Sequence, residues 1–223
     1  MTTGEMILHT AYFPSVSWFS TLWNESVIVL EACEHYQKGS LRNRCHIAGP
    51  NGEQRLSIPL VKGKHQQTPI REVRIAYDEP WQRQHWRSIR TAYGNAPFFE
   101  HYADGLAPFF ERRFEFLFDL NFEVLQFLIQ KTGWRGEVVF SKKYEGGASD
   151  GVTLSHPLTT LASSQPTSPS LGTTSNFKLR TSNFTYPQVF EEKHGFLPNL
   201  SMLDLLLCCG KQSGAILKMT NDE

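Results

Sequence analysis

One short stretch of the sequence, HYQKGSLRNRCHI (residues 35–47), concentrates side chains that can bind an anion. Arg42 and Arg44 carry flat guanidinium groups, and each can hold a carboxylate or a phosphate through two parallel hydrogen bonds. Lys38 adds a point charge, and Asn43 can both donate and accept hydrogen bonds. A solvated connection is more often built from Ser, Gly and Asp. The composition predicts that this stretch faces a ligand, although a charged, solvent-exposed loop would also accommodate Lys38, Asn43 and Arg44.

The positive charge extends beyond this stretch, although the chain as a whole is neutral. Residues 35–90 contain eleven Lys and Arg against four Asp and Glu, roughly +7 by this count. Lys62 follows a strand-like segment, and Arg87 belongs to a stripe of arginines at helical spacing, for which an ordinary charged helix face is the simpler explanation. Together these cations predict an anionic small molecule, either a nucleotide sugar or an activated acyl or aminoacyl donor. The zero net charge gives no indication of nucleic acid or of a membrane surface.

The sequence shows no complete catalytic motif. His194 and Asp204 could act as a general base and its orienting partner. They are ten residues apart in a segment interrupted by proline, however, and a histidine there more often has a structural role. Five other histidines lack the spacing of a metal site: His35, His46, His65, His85 and His101. No P-loop, GxGxxG motif or nucleophile elbow is present. We therefore expect no metal and no cofactor, with His194 and Asp204 as the candidate catalytic residues.

Cysteine usage and hydropathy predict a cytoplasmic protein. The four cysteines form neither a secreted disulfide framework nor the paired short spacings of a zinc site. No apolar run follows a basic N-terminus, and none approaches the ~20 residues of a membrane-spanning helix. The sequence thus favours reduced thiols, no signal peptide and no membrane span.

Hydrophobic periodicity predicts interleaved strands and helices. A hairpin is expected around AGPNGEQ, where Pro-Asn-Gly supplies turn chemistry between two strand-like runs. The other expected strands are residues 6–12, 26–32, 71–77 and 137–144. Four helices are expected. The first begins after Ser15, and the second runs to Tyr93 and stops at Gly94. The third runs from Pro108 to Gly133, and the fourth runs from a cap at Asn199 or Ser201 to Gly210. These elements predict a mixed α/β fold with a single sheet that contains the antiparallel hairpin and is flanked by helices.

The domain organisation follows from length and composition. A chain of 223 residues suits one domain with its own core, and no internal repeat is visible. Residues 145–183 are rich in Gly, Ser, Thr and Pro and poor in apolar residues, which predicts a flexible insert that could serve as a lid.

Several longer motifs resemble the WbqC-like family, in the order typical of that family. They are AYFPSVSWF, HYQKGSLRNRCHI, RLSIPLVKGK, PIREVRIA, PWQRQHWRSIRTAYGNAPFFEHY and QVFEEKHGFLPNLSMLDLLLCCG. The resemblance covers about residues 6–144 and 184–210, and the Ser/Thr/Pro-rich insert departs from it. Members of the family occur in bacterial gene clusters for O-antigen and other surface polysaccharides, so the resemblance implies a role in that biosynthesis.

The resemblance also implies site residues and an activity. The family pattern falls on Tyr12, Pro14, Tyr36, Lys38, Asn43, Arg44, Pro59, Trp81 and Tyr93. Together with the positive charge, it gives a predicted substrate-binding set of Tyr12, Tyr36, Lys38, Asn43, Arg44, Lys62 and Arg87. A cytosolic transferase that moves glycine, or another aminoacyl or acyl group, to a sugar precursor is the first hypothesis. The alternative is a non-catalytic protein that binds a glycan precursor or a pathway enzyme.

Overall fold

The computed structural model describes residues 6–61, 68–144, 153–154 and 185–219. Within these ranges the chain forms six strands and eight helices, joined in places by short 3-10 turns. The strands are β1 (Met6–His9), β2 (Val27–Glu31), β3 (Arg44–Gly49), β4 (Gly52–Ser57), β5 (Glu137–Phe140) and β6 (Thr153–Leu154). The helices are α1 (Val16–Ser20), α2 (Trp81–Tyr93), α3 (Phe99–Leu106), α4 (Pro108–Glu111), α5 (Leu117–Thr132), α6 (Glu191–His194), α7 (Met202–Cys209) and α8 (Ser213–Met219).

The main sheet has the strand order β5-β2-β1-β6. β1, β2 and β5 run parallel, with Ile7 opposite Val29 and Val29 opposite Val139, whereas β6 is antiparallel to β1. The apolar sequences MILH and VIVLE are almost wholly buried, as expected for parallel strands covered on both faces. Ligands of open α/β sheets commonly bind outside the carboxyl ends of such strands. The loop that follows β1 is therefore an expected position for a binding site.

The predicted hairpin forms, with β3 and β4 antiparallel and Cys45 opposite Leu56. The mixed α/β class is therefore confirmed, but the hairpin stands apart as a two-stranded sheet rather than joining the main one. The backbone groups on the outer edge of β3 are used elsewhere. The Ala48 N–H donates to the Tyr93 hydroxyl at 2.9 Å, and the His46 carbonyl accepts from the Ser201 N–H at 2.8 Å. A tyrosine and a turn thus occupy the edge where a third strand would pair.

Two sequence predictions between residues 70 and 132 were wrong for the same reason. Residues 71–77 do not form a strand, and the helix expected from Pro108 to Gly133 is broken into α4 and α5. The Tyr77 hydroxyl donates to the Phe114 carbonyl at 2.9 Å and accepts from the Phe114 N–H at 2.8 Å. Isolated bridges join residues 74 and 75 to other segments of extended backbone. Because residues 114–117 pair with residues 73–77, they cannot continue the helix. α3 was not predicted at all.

The predicted helix ends agree well with the structure. Ser15 caps α1 by accepting a hydrogen bond from the Trp18 N–H. α2 spans Trp81–Tyr93 and ends at Gly94, as the sequence predicted. α5 ends at Gly133, whose φ of 80° lies in the left-handed region that favours glycine. Ser201 precedes α7 and Gly210 follows it, which confirms the last predicted helix.

Apolar side chains from both sheets and most helices belong to one core cluster, represented by Leu8, Ile47, Ile89, Leu128 and Leu206. The prediction of one domain over residues 1–223 includes stretches that the structure does not describe, and it stays a prediction. The proposed insert at 145–183, apart from β6, and Lys62 also lie outside the described residues. In the described part of the chain no helix is both long and apolar enough to cross a membrane.

A buried ion pair fixes the segment between β2 and β3. The Arg42 Nε donates to Glu34 Oε1 at 2.8 Å, and the Arg42 Nη2 donates to Glu34 Oε2. Both residues are only 1% exposed, so the pair brings together two opposite charges that water hardly reaches. The Asn121 amide of α5 donates to the Arg42 carbonyl at 2.7 Å, which ties this segment to the helical layer.

Removing one partner of this buried pair should destabilise the protein far more than breaking an exposed pair. We expect Glu34→Ala to lower the free energy of unfolding by about 3–5 kcal/mol, because the Arg42 charge stays buried and loses its carboxylate partner. Glu115→Ala breaks the exposed pair with Arg74 and should cost about 0–1 kcal/mol. Urea denaturation followed by tryptophan fluorescence measures both changes, and equal losses would contradict the role assigned to burial.

Candidate functional site

A small cleft lies where three segments meet: the loop after β1, the start of β3 and the turn before α7. The space open to the centres of water-sized groups is about 50 Å³, where one bound water needs about 10–15 Å³. The cleft can therefore enclose a small chemical group. We call it the Arg44 cleft; its lining residues are Tyr12, Phe13, Pro14, Ser15, Leu41, Arg44, Cys45, His46, Asn199 and Ser201.

Backbone hydrogen bonds hold the three segments together. The Tyr12 N–H donates to the Leu41 carbonyl at 3.1 Å, which joins the loop after β1 to the 3-10 turn before β3. Ser15 and Ser201 form a short antiparallel bridge between that loop and the turn before α7. The Ser201 N–H also bonds to the His46 carbonyl. The cleft walls are thus connected pairwise, so the positions of the lining side chains are determined by main-chain contacts.

Both non-glycine residues with positive φ in the described ranges line the cleft. Phe13 has φ 39° and Asn199 has φ 56°. Such conformations are uncommon for residues with a Cβ and persist where the surroundings enforce them, often at functional sites. Phe13 is fully buried and stacks on Phe110, while the Asn199 side chain accepts from the Ser17 N–H at 3.1 Å. Packing and hydrogen bonding therefore maintain a strained backbone on two sides of the cleft.

Two buried polar atoms of the lining residues have no hydrogen-bond partner among the described residues. They are the Nε of Arg44 and the Oγ of Ser201. Buried donors are nearly always paired in proteins, so an unpaired one calls for an explanation, and a bound ligand is one. Arg44 forms no ion pair with any residue that the structure describes, in contrast to Arg42. Of the two arginines in the predicted stretch, Arg44 is the one available to a ligand.

The other residues of the predicted stretch have different roles. The Tyr36 hydroxyl donates to Asn43 Oδ1 at 3.0 Å, and Asn43 Nδ2 donates to the Ile58 carbonyl at 2.9 Å. Asn43 thus uses both ends of its amide to hold Tyr36 against β4. Burial raises the pKa of Tyr36, and the positive charges of Arg44 and Arg42 partly oppose that rise. Lys38 is exposed.

Tyr12 is held by a buried histidine of α2. Its hydroxyl lies 3.1 Å from His85 Nδ1, and a backbone hydrogen bond to Ser57 engages the histidine ring as well. Burial lowers the pKa of His85 to about 4, and the bond to Ser57 opposes that shift. The imidazole is therefore neutral at pH 7. The Tyr12 hydroxyl can donate to Nδ1 while the other ring nitrogen donates to the Ser57 carbonyl.

A histidine and a carboxylate form a pair on the hairpin that borders the cleft. His46 Nδ1 lies 3.3 Å from Glu53 Oε1, across the β3–β4 ladder. A carboxylate at one ring nitrogen orients the imidazole and leaves Nε2 for proton transfer. The sequence alone does not reveal this pair, because residues seven apart meet only once the hairpin register is known. The Pro-Asn-Gly turn was the available signal.

The buried thiols are poor nucleophiles. Burial raises the pKa of Cys45, which lines the cleft, and raises that of Cys209 to about 11, with the Asp204 charge adding to the effect. The pKa of Cys208 is raised mainly by burial as well. Because the thiolate is the reactive form, none of these three thiols is activated near neutral pH.

Asp204 lies in a polar network at the base of α7. Its carboxylate accepts hydrogen bonds from the Tyr93 hydroxyl and the Gln188 amide, both at 2.8 Å. Burial raises the pKa of Asp204, while hydrogen bonds from Tyr186, Tyr93 and Gln188 oppose the rise. These contacts link α2, α7 and the segment before α6.

His194 and Asp204, the two candidate catalytic residues, have separate partners. The His194 Nε2 lies 3.0 Å from the Pro50 carbonyl, at the hairpin turn, and no hydrogen bond between described residues joins it to Asp204. Arg87 is exposed on α2 and does not line the cleft. The described residues also contain no cluster of three His, Cys, Asp or Glu side chains that could hold a metal ion. Of the predicted binding set, the structure brings Tyr12 and Arg44 into the cleft.

Comparison with known proteins gives a family for this fold and cleft. The model of the WbqC-like protein family matches residues 10–216, a range that contains all three segments of the cleft. The chain belongs to the WbqC-like family. A relative that also matches is the uncharacterized protein Rv1507c of Mycobacterium tuberculosis (strain ATCC 25618 / H37Rv), 28% identical over 226 residues that cover 95% of this chain and 96% of the relative. No solved structure gives a significant match.

The buried histidine predicts a pH dependence of stability in this WbqC-like protein. The pKa of His85 falls from 6.5 to about 4 on folding, so between these values the unfolded chain binds more protons and stability falls as pH falls. The full shift corresponds to roughly 3 kcal/mol. The advantage of the wild type over His85→Gln should therefore shrink as pH falls from 7 to 4. Urea denaturation at several pH values measures it.

The exposed His101 of α3 provides the control for that experiment. His101→Gln should unfold with the same pH profile as the wild type. A constant free-energy difference between the wild type and His85→Gln from pH 7 to pH 4 would contradict a neutral, buried His85.

Proposed function

We propose that this protein is a cytosolic transferase of surface-polysaccharide biosynthesis, which moves a small acyl or aminoacyl group such as glycine from an activated, anionic donor to a sugar precursor. Membership in the WbqC-like family supports the pathway. The observation that carries the proposal is the Arg44 cleft, where a guanidinium with an unpaired, buried Nε lies beside the His46–Glu53 pair. A cation that fixes an anion next to a potential base is what an acyl transfer between small molecules needs.

In this mechanism each residue has a defined task. Arg44 holds the anionic part of a substrate, and Tyr12, kept in place by His85, forms a wall of the cleft. His46 accepts the proton from the amine or hydroxyl of the acceptor as that group attacks the carbonyl carbon of the donor. Glu53, whose Oε1 lies 3.3 Å from His46 Nδ1, orients the imidazole, and the donor's leaving group departs with the electrons of the broken bond.

A second candidate function is binding without catalysis, in which the protein presents a glycan precursor to another enzyme. The observation that favours it is the lack of an activated nucleophile among the cleft residues, since the pKa of Cys45 is raised by burial. The first proposal does not need a protein nucleophile, because the acceptor sugar supplies the attacking group. Turnover therefore separates the two candidates, whereas binding alone does not.

The proposal is tested by a turnover assay on the purified protein. Glycyl thioesters and glycyl adenylate are incubated with a panel of nucleotide sugars, and mass spectrometry detects a sugar that has gained a glycyl group. His46→Gln should lower the rate by about 10²–10⁴-fold, the usual contribution of a general base. His194→Gln, which changes the histidine at the hairpin turn, should retain the wild-type rate.

Two outcomes would count against this assignment. Equal rates for the wild type and His46→Gln would remove His46 from the mechanism. Saturable binding of a nucleotide sugar without turnover of any donor would favour the non-catalytic candidate over the transferase.

A further inference from the structure

Ser201 occupies a capping position but does not use its side chain to cap. It precedes α7 with extended backbone, yet the Asp204 N–H donates to the Ser201 backbone carbonyl at 2.9 Å rather than to its Oγ. Ser15, its partner in the bridge between the two segments, does cap its own helix through Oγ, at 3.3 Å from the Trp18 N–H. Ser201 is 1% exposed, lines the cleft and has an unpaired Oγ. This hydroxyl therefore has a hydrogen bond to give to a bound group.

Arg44 supplies a second, charged donor to the same cleft. Its Nε is buried and unpaired. The edge of a guanidinium formed by Nε and one Nη presents two parallel N–H groups, the pattern that matches the two oxygens of a carboxylate. Together with Ser201, Arg44 gives the cleft one charged and one neutral donor residue.

The volume and the charge of the Arg44 cleft restrict the chemical class of the ligand it can bind. The space of about 50 Å³ suits a group of a few heavy atoms. Arg44 is the sole Lys or Arg among the lining residues, and no Asp or Glu is among them. One cation balances the single charge of a carboxylate, whereas phosphate carries up to two charges and a third or fourth oxygen that would need further donors. A carboxylate fits these donors better than a phosphate, a nucleotide or a sugar ring does.

We propose that the Arg44 cleft is a subsite for the carboxylate end of a small ligand, bound by the Arg44 guanidinium and the Ser201 hydroxyl. The inference rests on the proposed function in that it takes this cleft as the substrate site, and it specifies which chemical group enters.

The test uses isothermal titration and thermal shift on the full chain with matched probes. Acetate and glycine should bind and raise the melting temperature, whereas acetamide and glycinamide, which lack the carboxylate charge, should not. Arg44→Gln should weaken acetate and glycine binding at least tenfold, and Ser201→Ala should weaken it by a smaller factor. Arg83→Gln, which removes an exposed arginine of α2 outside the cleft, should bind as the wild type does.

Stability measurements separate ligand binding from a structural role of the two serines. Ser201→Ala should leave the melting temperature of the unliganded protein unchanged, because its Oγ has no partner to lose. Ser15→Ala should lower that temperature, because it removes the α1 cap. A large loss of stability in Ser201→Ala, or acetate binding that Arg44→Gln leaves intact, would overturn the inference.

The remaining outcomes distinguish this inference from the proposed function. Binding of inorganic phosphate that depends on Arg44, without binding of acetate or glycine, would overturn the carboxylate subsite and leave the transferase proposal standing. Acetate binding that depends on Arg44 and Ser201, in a protein that turns over no donor, would support the subsite and count against the transferase.

Discussion

The buried ion pair between Glu34 and Arg42 is the constraint on which the candidate site depends. Both residues are about 1% exposed, and an uncompensated charge at such a position is strongly unfavourable. The segment between β2 and β3 must therefore adopt a path that brings the two side chains together. Asn121 anchors the same segment to α5 through the Arg42 carbonyl. Because Asn43 and Arg44 follow directly in the chain, their positions are set by the same pair.

Two arginines that are close in sequence, Arg42 and Arg44, therefore differ in their hydrogen-bond partners. Arg42 is satisfied inside the protein, whereas Arg44, at the start of β3, keeps a buried Nε without a partner. An unpaired donor and two strained residues, Phe13 and Asn199, all border one small space. Each of these features costs stability, and each is rare alone. Packing on Phe110 supports Phe13, and the hydrogen bond from the Ser17 N–H supports Asn199. No described residue compensates the Arg44 Nε, and the proposed binding role explains that donor.

The sequence was sufficient for most of the elements but not for the side-chain partners. Buried parallel strands, the hairpin and the glycine-marked helix ends could be predicted because each depends on local propensity and periodicity. Arg42 and Arg44 could not be distinguished, since the difference lies in Glu34, eight residues away and across a turn. The 71–77 segment alternates like a strand but lacks a strand partner, and the Tyr77 contact with Phe114 that decides its shape is non-local. Tertiary contacts overrode the local pattern there.

Asp204 shows how the distant part of the chain stabilises the cleft. Burying its carboxylate is unfavourable, as the raised pKa indicates, and hydrogen bonds from Tyr93 and Gln188 offset that cost. Tyr93 also accepts from the Ala48 N–H, so a single tyrosine connects α2, the hairpin edge and α7. Ser201 lies one turn before Asp204 and bonds to the hairpin through its backbone. An apolar residue in place of Asp204 would have a lower desolvation cost. The Asp204 carboxylate instead joins α7 to Tyr93, and through it to the hairpin, which helps to keep Ser201 at the cleft beside the strand that carries Arg44.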